Sequence, residues 1–482
     1  MFKISDTNSN RVHLIGIGGI GMSALARWFK SQGFKASGSD ADGESIIAKQ
    51  LRQDGIKVLT GHHGKNIPRG TALVIRSQAI DRANSELQAA IKNNIPVFSY
   101  PETLGFISQE YKTIAIAGAH GKSTTTALTA LTLIKGNLDP TVIIGTTLKE
   151  FKNSNFRKGA SPLLVLEADE YGKAFLYYSP LVTIVTNIDR EHLDIYFSLK
   201  EIQKTFLAFL SHTTRGGTLV LNRDDRNLWP LSKRIKKIAE KNQLKVFWYS
   251  TKNKEAKLIK SKLQIAGIHN VSNALAAFTV ATKVFKVPQK IALSALGAYK
   301  GAWRRMEYRG KWQIANNKGQ ITKTKNSGHS LRAIRSLLVY DDYAHHPTEI
   351  HATLAAFKEK FPDSPLICVF EPHQALRLEK LFKEFSASFE NADAVLLLPT
   401  YQVRGRDQVN PRFTSETLAK AIQKKYPKKP ILYLSNPTKL KEYLVKLLLA
   451  TRYSLLARHR SAVLIMMGAG SIVRLTDTLL KK

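Results

Sequence analysis

Short apolar runs alternate with longer amphipathic stretches along this chain of 482 residues. A short apolar run bounded by turn residues is typical of a buried parallel strand, and an amphipathic stretch between two such runs is typical of a helix. In the first region the predicted strands are residues 12–15, 35–37, 56–58, 72–75 and 97–98. This alternation predicts a doubly wound parallel sheet.

Two further regions repeat the alternation. The second has predicted strands at residues 113–117, 142–144, 163–166, 183–186, 218–221 and 246–248, and the third at residues 337–340, 366–370, 394–398, 431–433 and 462–466. Residues 150–161 are polar and basic and predict a loop, and residues 311–335 predict a solvated loop insertion. We therefore predict an α/β protein of three tandem α/β domains, residues 1–110, 111–308 and 309–482: a Rossmann-like domain, a central mononucleotide-binding domain of the phosphate-loop type and a second Rossmann-like domain.

The strand predicted at residues 113–117 leads directly into a glycine-rich turn and a helix. The turn reads Gly118, Ala119, His120, Gly121, Lys122, Ser123 and Thr124. Backbone N–H groups of such a turn, together with the helix N-terminus, bind phosphate. Lys122 is expected to hold the β- and γ-phosphates and the Ser123 hydroxyl to bind Mg²⁺, although the two glycines stand closer together than in the usual phosphate loop.

A second glycine cluster follows the first predicted strand. Gly16, Gly18 and Gly21 match G-x-G-x-x-G, with Gly19 and Ile20 between them, and Asp40 ends the next strand where an acidic residue contacts a ribose hydroxyl. By itself this motif fits NAD, FAD, the diphosphate of a nucleotide sugar, or a tight turn with no ligand. The chain thus has two candidate phosphate-binding turns, and a function has to account for both.

Acidic and histidine side chains follow two strands of the central region. Glu167 ends the strand at residues 163–166, and a carboxylate at that strand end can hold Mg²⁺ near Lys122. The alternative for the neighbouring acids Asp169 and Glu170 is an acidic helix N-terminus. His192 follows the next strand and is a candidate metal ligand, supported by Asp189 or Asp194.

Asn270 and Asn273 lie three residues apart at the start of a predicted helix, beside His269. Residues at this spacing share a helix face, and an amide can both donate to and accept from an adenine edge. Capping of the helix N-terminus explains the same residues equally well.

Three consecutive strands of the third region end in polar groups. Asp342, Tyr343 and His345 follow the first, His373 and Arg377 the second, and Arg404, Arg406 and Asp407 the third. Parallel strands present these ends at one edge of the sheet. A cationic rim there suits a carboxylate, a phosphate or a small amino acid.

Composition narrows the class of protein. The net charge is +36, but Lys and Arg are spread along the whole chain, which favours anionic nucleotide substrates over nucleic acid. The single cysteine, Cys368, lies in an apolar run and is expected in the core, so no intrachain disulfide forms. The first ten residues are polar and no apolar run approaches the ~18 residues of a membrane span, so neither a signal peptide nor membrane insertion is expected.

Taken together, these segments resemble the Mur ligases, the ATP-dependent amide-forming enzymes of peptidoglycan synthesis, over nearly the whole chain. The similarity is greatest to the alanine-adding members, and the shortened phosphate loop is itself characteristic of the superfamily. The resemblance implies that the first glycine turn binds UDP-N-acetylmuramate, that the second binds ATP with Mg²⁺, and that the third domain binds L-alanine. The implied enzyme is a cytoplasmic monomer or homodimer.

The resemblance also implies roles for individual residues. It places Lys122, Glu167, His192 and Asp342 in catalysis, with Ser123, Glu167 and His192 at the metal, and it assigns the sugar nucleotide to the first glycine turn with Asp40 and Ser77. ATP would contact the phosphate loop, His269, Asn270, Asn273, Arg305 and Asp342, and the amino acid would contact Tyr343, His345 and Arg377. Family members often carry an arginine where this chain has Gln374, so carboxylate binding falls more to Arg377.

Three alternatives stay open at this point. A murein-peptide ligase that joins a recycled tripeptide to UDP-N-acetylmuramate shares the run Glu167-Ala-Asp-Glu170-Tyr171 but departs at Asp342-Tyr-Ala-His-His-Pro347 and Glu371-Pro-His-Gln374. A nicotinamide dehydrogenase would use the first glycine turn, but it needs no lysine for a γ-phosphate. A nucleic-acid-dependent ATPase is suggested by the net charge alone.

Overall fold

The computed structural model of this chain describes residues 9–313, 336–402, 410–450 and 461–481. The chain divides into two compact units. The first contains the residues up to Glu191, then Ile195–Gln264 and Asn270–Ala302, and the second contains His192–Asp194, Ile265–His269 and the residues from Trp303 onward. The first unit carries two sheets and the second unit carries one, as the prediction of three α/β regions requires. The boundaries predicted near residues 110 and 308 stay predictions.

The first sheet has five parallel strands in the order β3-β2-β1-β4-β5. Its strands are β1 (Arg11–Ile15), β2 (Lys35–Asp40), β3 (Lys57–Thr60), β4 (Leu73–Arg76) and β5 (Val97–Ser99), and its helices are α1 (Ile20–Ser31), α2 (Ile46–Gln53), α3 (Ser85–Lys92) and α4 (Tyr100–Gln109). The strand order reverses between β1 and β4. The glycine turn after β1 therefore lies at the topological switch point, where open α/β sheets bind ligands.

The second sheet has seven strands in the order β12-β11-β10-β6-β9-β7-β8, all parallel except the β7–β8 pair. Its strands are β6 (Lys112–Ala117), β7 (Thr141–Leu148), β8 (Ser154–Arg157), β9 (Leu163–Glu167), β10 (Val182–Val185), β11 (Thr218–Asn222) and β12 (Lys245–Tyr249). The helices that follow are α5 (Lys122–Lys135), α6 (Leu199–Ser211), α7 (Ser232–Asn242), α8 (Lys254–Lys260), α9 (Ile268–Thr279) and α10 (Gln289–Ala298). The central position of β6 places the phosphate loop at the middle of the sheet edge.

The third sheet has six strands in the order β13-β14-β18-β15-β16-β17, with β13 antiparallel to β14. Its strands are β13 (Glu307–Gln313), β14 (Ser336–Asp342), β15 (Leu366–Phe370), β16 (Ala394–Leu397), β17 (Ile431–Tyr433) and β18 (Ser461–Met467). The helices are α11 (Pro347–Lys360), α12 (Ala375–Lys380), α13 (Phe382–Ala387), α14 (Ser415–Lys425), α15 (Leu440–Ala450) and α16 (Ile472–Leu480).

Central strands of the three sheets are apolar along their whole length because helices cover both faces of a parallel sheet. All five residues of β15 are buried, and Cys368 lies among them as predicted. Continuous apolar runs in the sequence therefore predict the buried strands, whereas an alternation of apolar and polar residues would not.

Two sequence expectations need correction, both at sheet edges. Residues 150–161 were expected to form a loop, but they contain the end of a 3₁₀ turn, Lys149–Phe151, and the edge strand β8. The loop insertion expected at residues 311–335 begins inside β13, which pairs with β14 up to Gln313, and residues 314–335 lie outside the described part. An edge strand pairs with a neighbouring strand on one side only and buries fewer apolar side chains. Its hydrophobic pattern in the sequence is therefore weak.

Among the described residues no helix is both long enough and apolar enough to cross a membrane. The longest described helices, α5 and α11, have 14 residues each.

A buried amide connects β8 to α1, and this contact generates a stability prediction. The Asn155 side chain donates to Ile20 O at 2.5 Å and to Ser23 Oγ at 2.9 Å, and it accepts from Arg27 Nη1 at 2.6 Å. Asn155→Ala should lower the free energy of unfolding by about 1–3 kcal/mol, because it leaves buried polar groups without partners. Urea unfolding followed by circular dichroism measures this change. The exposed Asn93→Ala is the control, and equal stability of the two variants would contradict the prediction.

Candidate active site

The glycine turn after β1 is held by the end of the neighbouring strand. Gly16 has φ of 81°, and the N–H groups of Gly16 and Ile17 both donate to the carbonyl oxygen of Ser39, at 2.8 and 3.0 Å. Helix α1 then begins at Ile20 without a side-chain cap and without an acidic residue in its first turn. The N-terminal amides of α1 and its positive dipole end are thus available to an anion, as the prediction for this turn requires.

Asp40 and Ser77 lie beside this turn, as the predicted sugar-nucleotide site requires. The Gly18 N–H donates to Asp40 Oδ2 at 2.9 Å, and a Cβ on Gly18 would lie 2.8 Å from the same oxygen. A Cβ on Gly16 would lie 3.0 Å from Ser77 Cβ. The structure therefore brings Asp40 and Ser77 to the glycine turn, and their contact with a ligand stays a prediction.

The phosphate loop between β6 and α5 has the conformation that its glycines predict. Gly118 has φ of 136° and Gly121 has φ of 81°, and Gly121 caps α5 from the left-handed region. Residues with a Cβ rarely adopt either conformation. Ser123 and Thr124 are buried in the first turn of α5, directly after Lys122.

Strand β10 ends in residues that hold this loop from the side. Asn187 Oδ1 accepts from the His120 N–H at 2.9 Å, while Asn187 Nδ2 and Thr186 Oγ1 donate to the His120 carbonyl at 2.9 and 2.7 Å. His120 Nε2 also lies 3.1 Å from Asp189 Oδ2. Sequence reasoning did not assign this role to Asn187, although its place directly after a central strand was a usable signal.

Lys122 reaches back over the loop. Its Nζ donates to Gly118 O at 2.8 Å and to Glu170 Oε2 at 2.9 Å, with Asp169 Oδ1 at 3.8 Å. Burial lowers the pKa of Lys122, but the charges of Glu170 and Asp169 raise it more, so its pKa stands above the ordinary value. Lys122 is therefore a fixed cation at the loop. Glu170 was not among the predicted site residues.

Ser123 and Glu167 lie together, as predicted. The Ser123 hydroxyl donates to Glu167 Oε2 at 3.3 Å, and the Gly145 N–H donates to Glu167 Oε1 at 2.6 Å. A hydroxyl and a carboxylate are oxygen donors of the kind that Mg²⁺ prefers. The donor set of this pair fits the predicted metal.

Tyr100, which sequence reasoning missed, lies beside the first glycine turn. A Cβ on Gly21 would lie 2.7 Å from the Tyr100 hydroxyl oxygen. Burial raises the pKa of Tyr100, and the charges of Glu167 and Asp169 raise it further. Tyr100 is therefore a buried hydroxyl beside the first glycine turn, within the electrostatic influence of the acids at and after the end of β9.

Asn270 and Asn273 lie within α9, after its first residue, and not at the capping position before the helix. Asn270 and Asn273 are both buried, and a Cβ on Gly121 would lie 2.5 Å from Asn273 Oδ1. Asn273 thus lies against the phosphate loop. His269, one residue before Asn270, belongs to the second unit, and burial lowers the pKa of His269 to about 4, against the charges of Glu349 and Glu359.

In the second unit, Asp342 ends β14 and organises the backbone around it. Its Oδ2 accepts from the Met306 N–H at 2.8 Å, and its Oδ1 accepts from the Ala344 N–H at 2.9 Å and from Thr353 Oγ1 at 3.3 Å. Burial raises the pKa of Asp342 above its ordinary value, against the charge of Arg305 and these amides.

Two consecutive arginines pack on Tyr343. The guanidinium carbons of Arg304 and Arg305 lie 5.0 and 4.8 Å from the ring centroid. Arg304, which the sequence did not single out, is buried with φ of 54° and donates to the carbonyls of Gly468, Ala469 and Gly470. In the described part of the chain, these bonds to the loop after β18 come from Arg304 and not from Arg305, the predicted ATP contact.

The predicted amino-acid residues gather at the ends of β14 and β15. His345 Nδ1 lies 3.0 Å from Tyr343 O, and the His345 and His373 rings are 5.9 Å apart. Arg377 is buried, and its Nη1 donates to His373 O at 2.9 Å. The structure brings Tyr343, His345 and Arg377 to one sheet edge. It adds His373, which stacks on Tyr401 at 5.3 Å.

Gln374 has φ of 69° and ψ of 122°, an unusual backbone conformation for a residue with a side chain. Its N–H donates to Tyr401 O at 2.9 Å, which holds the start of α12 to the segment that follows β16. Arg404, Arg406 and Asp407 lie outside the described residues.

The predicted catalytic residues are divided between the units. Lys122 and Glu167 belong to the first unit, and His192 and Asp342 belong to the second. His192 has φ of 56°. The joint role predicted for Glu167 and His192 at a metal stays a prediction.

Three sequence profiles of one family match the chain in tandem. The Mur ligase family catalytic domain matches residues 11–112, the Mur ligase middle domain residues 116–281, and the Mur ligase glutamate ligase domain residues 330–470.

Whole proteins of this family are similar over the full length. The UDP-N-acetylmuramate–L-alanine ligase of Caldicellulosiruptor bescii is 35% identical, over 98% of this chain and 99% of that protein. Among solved structures, a UDP-N-acetylmuramate–alanine ligase of Thermotoga maritima matches with a TM-score of 0.72 and 23% identity, over 98% of each chain. A murein peptide ligase of Psychrobacter arcticus matches with a TM-score of 0.65 and 22% identity, also over 98% of each chain.

The hydrogen bonds from the Asn187 side chain to the His120 peptide generate a prediction about ATP binding. Asn187→Ala removes both side-chain bonds to the His120 peptide, and the loop amides should then lose their fixed direction. Affinity for ATP should fall roughly tenfold, since two hydrogen bonds contribute about 1–3 kcal/mol together. Isothermal titration calorimetry measures the change. The matched control is Asn253→Ala, at an exposed asparagine. An unchanged ATP affinity in Asn187→Ala would show that the Asn187 hydrogen bonds do not shape the ATP site.

Proposed function

Since the chain belongs to the Mur ligase family, we propose that it is the ATP-dependent ligase that joins L-alanine to the lactyl carboxylate of UDP-N-acetylmuramate. The observation that carries this proposal is the pair of phosphate-binding turns in the first unit, of which only the second has a lysine. A diphosphate held by backbone amides needs no such lysine, whereas a transferred γ-phosphate does. The first turn then binds the sugar nucleotide and the second binds ATP.

The substrate preference rests on the similar full-length relative, which is named for L-alanine addition. The fold by itself does not decide, because an alanine-adding enzyme and a murein peptide ligase both share it. Joining a recycled tripeptide remains the alternative. It uses the same sugar nucleotide and the same ATP chemistry, so the two differ only in the amine.

The reaction proceeds in two steps that share one intermediate. A lactyl carboxylate oxygen attacks the γ-phosphorus of ATP, the bond to the β-phosphate oxygen breaks, and ADP leaves. The amine of L-alanine then attacks the acyl carbon, phosphate departs with the carboxylate oxygen, and the nitrogen loses a proton as the amide forms. Lys122 and the loop amides offset the charge that develops on the γ-phosphate.

The same geometry suits an intermediate that water would destroy. An acyl phosphate hydrolyses, so carboxylate, phosphate and amine have to be aligned before transfer begins. Tyr100, beside the first turn, would offer its hydroxyl as a hydrogen-bond donor to the sugar nucleotide.

We further propose that Mg²⁺ binds at Ser123 and Glu167, whose oxygens lie 3.3 Å apart, with His192 as the predicted third ligand. A magnesium ion held there would supply positive charge that offsets the charge of the phosphates. Ser123 would offer its hydroxyl and Glu167 its carboxylate, which the Gly145 amide holds in place.

The remaining predicted residues complete the substrate sites in this proposal. His269, Asn270 and Asn273 would contact adenine, and Arg305 and Asp342 would contact ATP. Tyr343, His345 and Arg377 would hold the alanine. The cytoplasm, which supplies ATP, is the proposed location.

Phosphate release tests the function directly. The enzyme with ATP, Mg²⁺ and UDP-N-acetylmuramate should release phosphate when L-alanine is added, with slower release for glycine or L-serine and none for the tripeptide. Phosphate release with the tripeptide but not with L-alanine would show that the chain is the murein-peptide ligase. Tight NAD binding with no response to uridine nucleotides would favour a dehydrogenase, and ATP turnover stimulated by DNA or RNA would favour a nucleic-acid-dependent ATPase.

Replacement of the phosphate-loop lysine should abolish catalysis without affecting the fold or the binding of the sugar nucleotide. Lys122→Ala should lower the rate of amide formation at least ~10²–10³-fold, because it deletes a charge contact to the transition state. Binding of UDP-N-acetylmuramate and the circular dichroism spectrum should be unchanged. Lys135→Ala, an exposed lysine at the end of the same helix, is the control. A near-normal rate in Lys122→Ala would remove the loop from the mechanism.

The third-domain assignment predicts a selective effect on one Michaelis constant. Arg377→Lys replaces a planar fork by a point charge, so the KM for L-alanine should rise about tenfold or more while the KM for ATP stays within about twofold. Initial rates at varied alanine and varied ATP measure the two constants. Lys380→Arg on the same helix is the control. Equal rises in both constants would mean that Arg377 acts on the fold rather than on the amino acid.

A further inference from the structure

A buried carboxylate lies beneath the first glycine turn, outside every residue assigned above. Glu86, in the first turn of α3, has no solvent exposure. Its oxygens accept four hydrogen bonds: Oε2 from His13 Nε2 at 3.1 Å and Ser39 Oγ at 2.7 Å, and Oε1 from the His63 N–H at 3.1 Å and Asn66 Nδ2 at 2.6 Å. Strands β1 and β2 and the segment after β3 therefore meet on one side chain of α3.

Glu86 is ionised in this setting. Burial raises its pKa, but the hydrogen bonds from His13, Ser39 and Asn66 and the charge of His13 lower it more, and the net pKa lies below the ordinary value. An ionised carboxylate only accepts hydrogen bonds. The Ser39 hydroxyl must therefore donate its one proton to Glu86.

The direction of that bond determines the next one. Ser39 Oγ lies 2.9 Å from His62 Nδ1. Because the hydroxyl proton is already used, Ser39 Oγ accepts, and His62 Nδ1 carries the proton. In a neutral imidazole the other nitrogen, Nε2, is then an acceptor.

His62 is placed where a nucleoside on the glycine turn would extend. It follows β3, next to the end of β2, where Ser39 O holds the Gly16 and Ile17 amides and Asp40 lies against Gly18. In folds of this type the ribose lies over the end of the second strand. About a fifth of the His62 side chain is exposed, and no hydrogen bond from a described residue reaches its Nε2.

We propose that His62 reads the base of the sugar nucleotide, with Nε2 accepting the imide N3–H of uracil. The inference rests on the proposed function, since it takes the ligand of the first turn to be a uridine diphosphate. Cytosine has a lone pair at N3, so two acceptors would face each other in the same pose. Ser39 and Glu86 are positioning residues, because they act on the base only through the tautomer of His62.

Nucleotide binding tests the base contact. Wild-type protein should bind UDP about tenfold to a hundredfold more tightly than CDP or N3-methyl-UDP, since an acceptor that the ligand covers and leaves unpaired is costly. In His62→Ala the affinities for UDP and CDP should come within about threefold of each other. His63→Ala, which replaces an adjacent exposed histidine whose backbone alone contacts Glu86, should keep the wild-type preference. Isothermal titration calorimetry supplies all of these constants.

The positioning part has its own readout. In the ¹⁵N spectrum of the ligand-free protein, His62 should show a protonated Nδ1 and an unprotonated Nε2. Ser39→Ala should abolish this preference and lower the ratio of UDP to CDP affinity, without loss of the folded far-ultraviolet spectrum.

The outcomes separate the inference from the function beneath it. If His62→Ala keeps the full preference for UDP, or if His62 in the wild type is protonated at Nε2, the base contact is wrong while the ligase assignment stands. If the wild-type protein binds no uridine nucleotide, the proposed function itself fails.

Discussion

The candidate site depends on a loop whose backbone amides have to stay directed at an anion. Between β6 and α5, this requires left-handed conformations at Gly118 and Gly121 and space beside them. A Cβ on Gly118 would lie 2.0 Å from Thr186 Oγ1, and a Cβ on Gly121 would lie 2.5 Å from Asn273 Oδ1. Gly118 and Gly121 allow this backbone conformation, and because they have no Cβ they also leave space for the side chains of Thr186 and Asn273. The phosphate loop, Thr186 after β10 and Asn273 of α9 therefore pack against one another within the first unit.

Each of the two candidate phosphate turns holds a carboxylate against groups that the proposed function assigns to phosphate. Asp40 accepts from the Gly18 amide, and Glu170 pairs with Lys122. In the proposed function, the phosphates of the two nucleotides would share these donors with the internal carboxylates. A net charge of +36 attracts anions in general and does not by itself select a nucleotide.

The order of sheets and glycine turns could be predicted because it depends on local signals. Buried strands such as β15 are apolar throughout, and Gly121-Lys122-Ser123 stands directly before a helix. Edge strands β8 and β13 were missed because their polar sequences look like loops. Partners such as Glu170 for Lys122 lie 48 residues away, and nothing in the local pattern selects Glu170 over Asp169. Likewise, sequence could not tell that Arg304, rather than Arg305, binds the carbonyls after β18.

The central claim is that ATP activates a carboxylate before an amine attacks it, and an isotope experiment tests it most directly. UDP-N-acetylmuramate labelled with ¹⁸O in the lactyl carboxylate is incubated with the enzyme, ATP, Mg²⁺ and L-alanine, and the released phosphate is analysed by mass spectrometry. The account predicts one ¹⁸O atom in each phosphate and one alanine in each product molecule. Unlabelled phosphate, or ATP turnover that proceeds without formation of the amide, would contradict it.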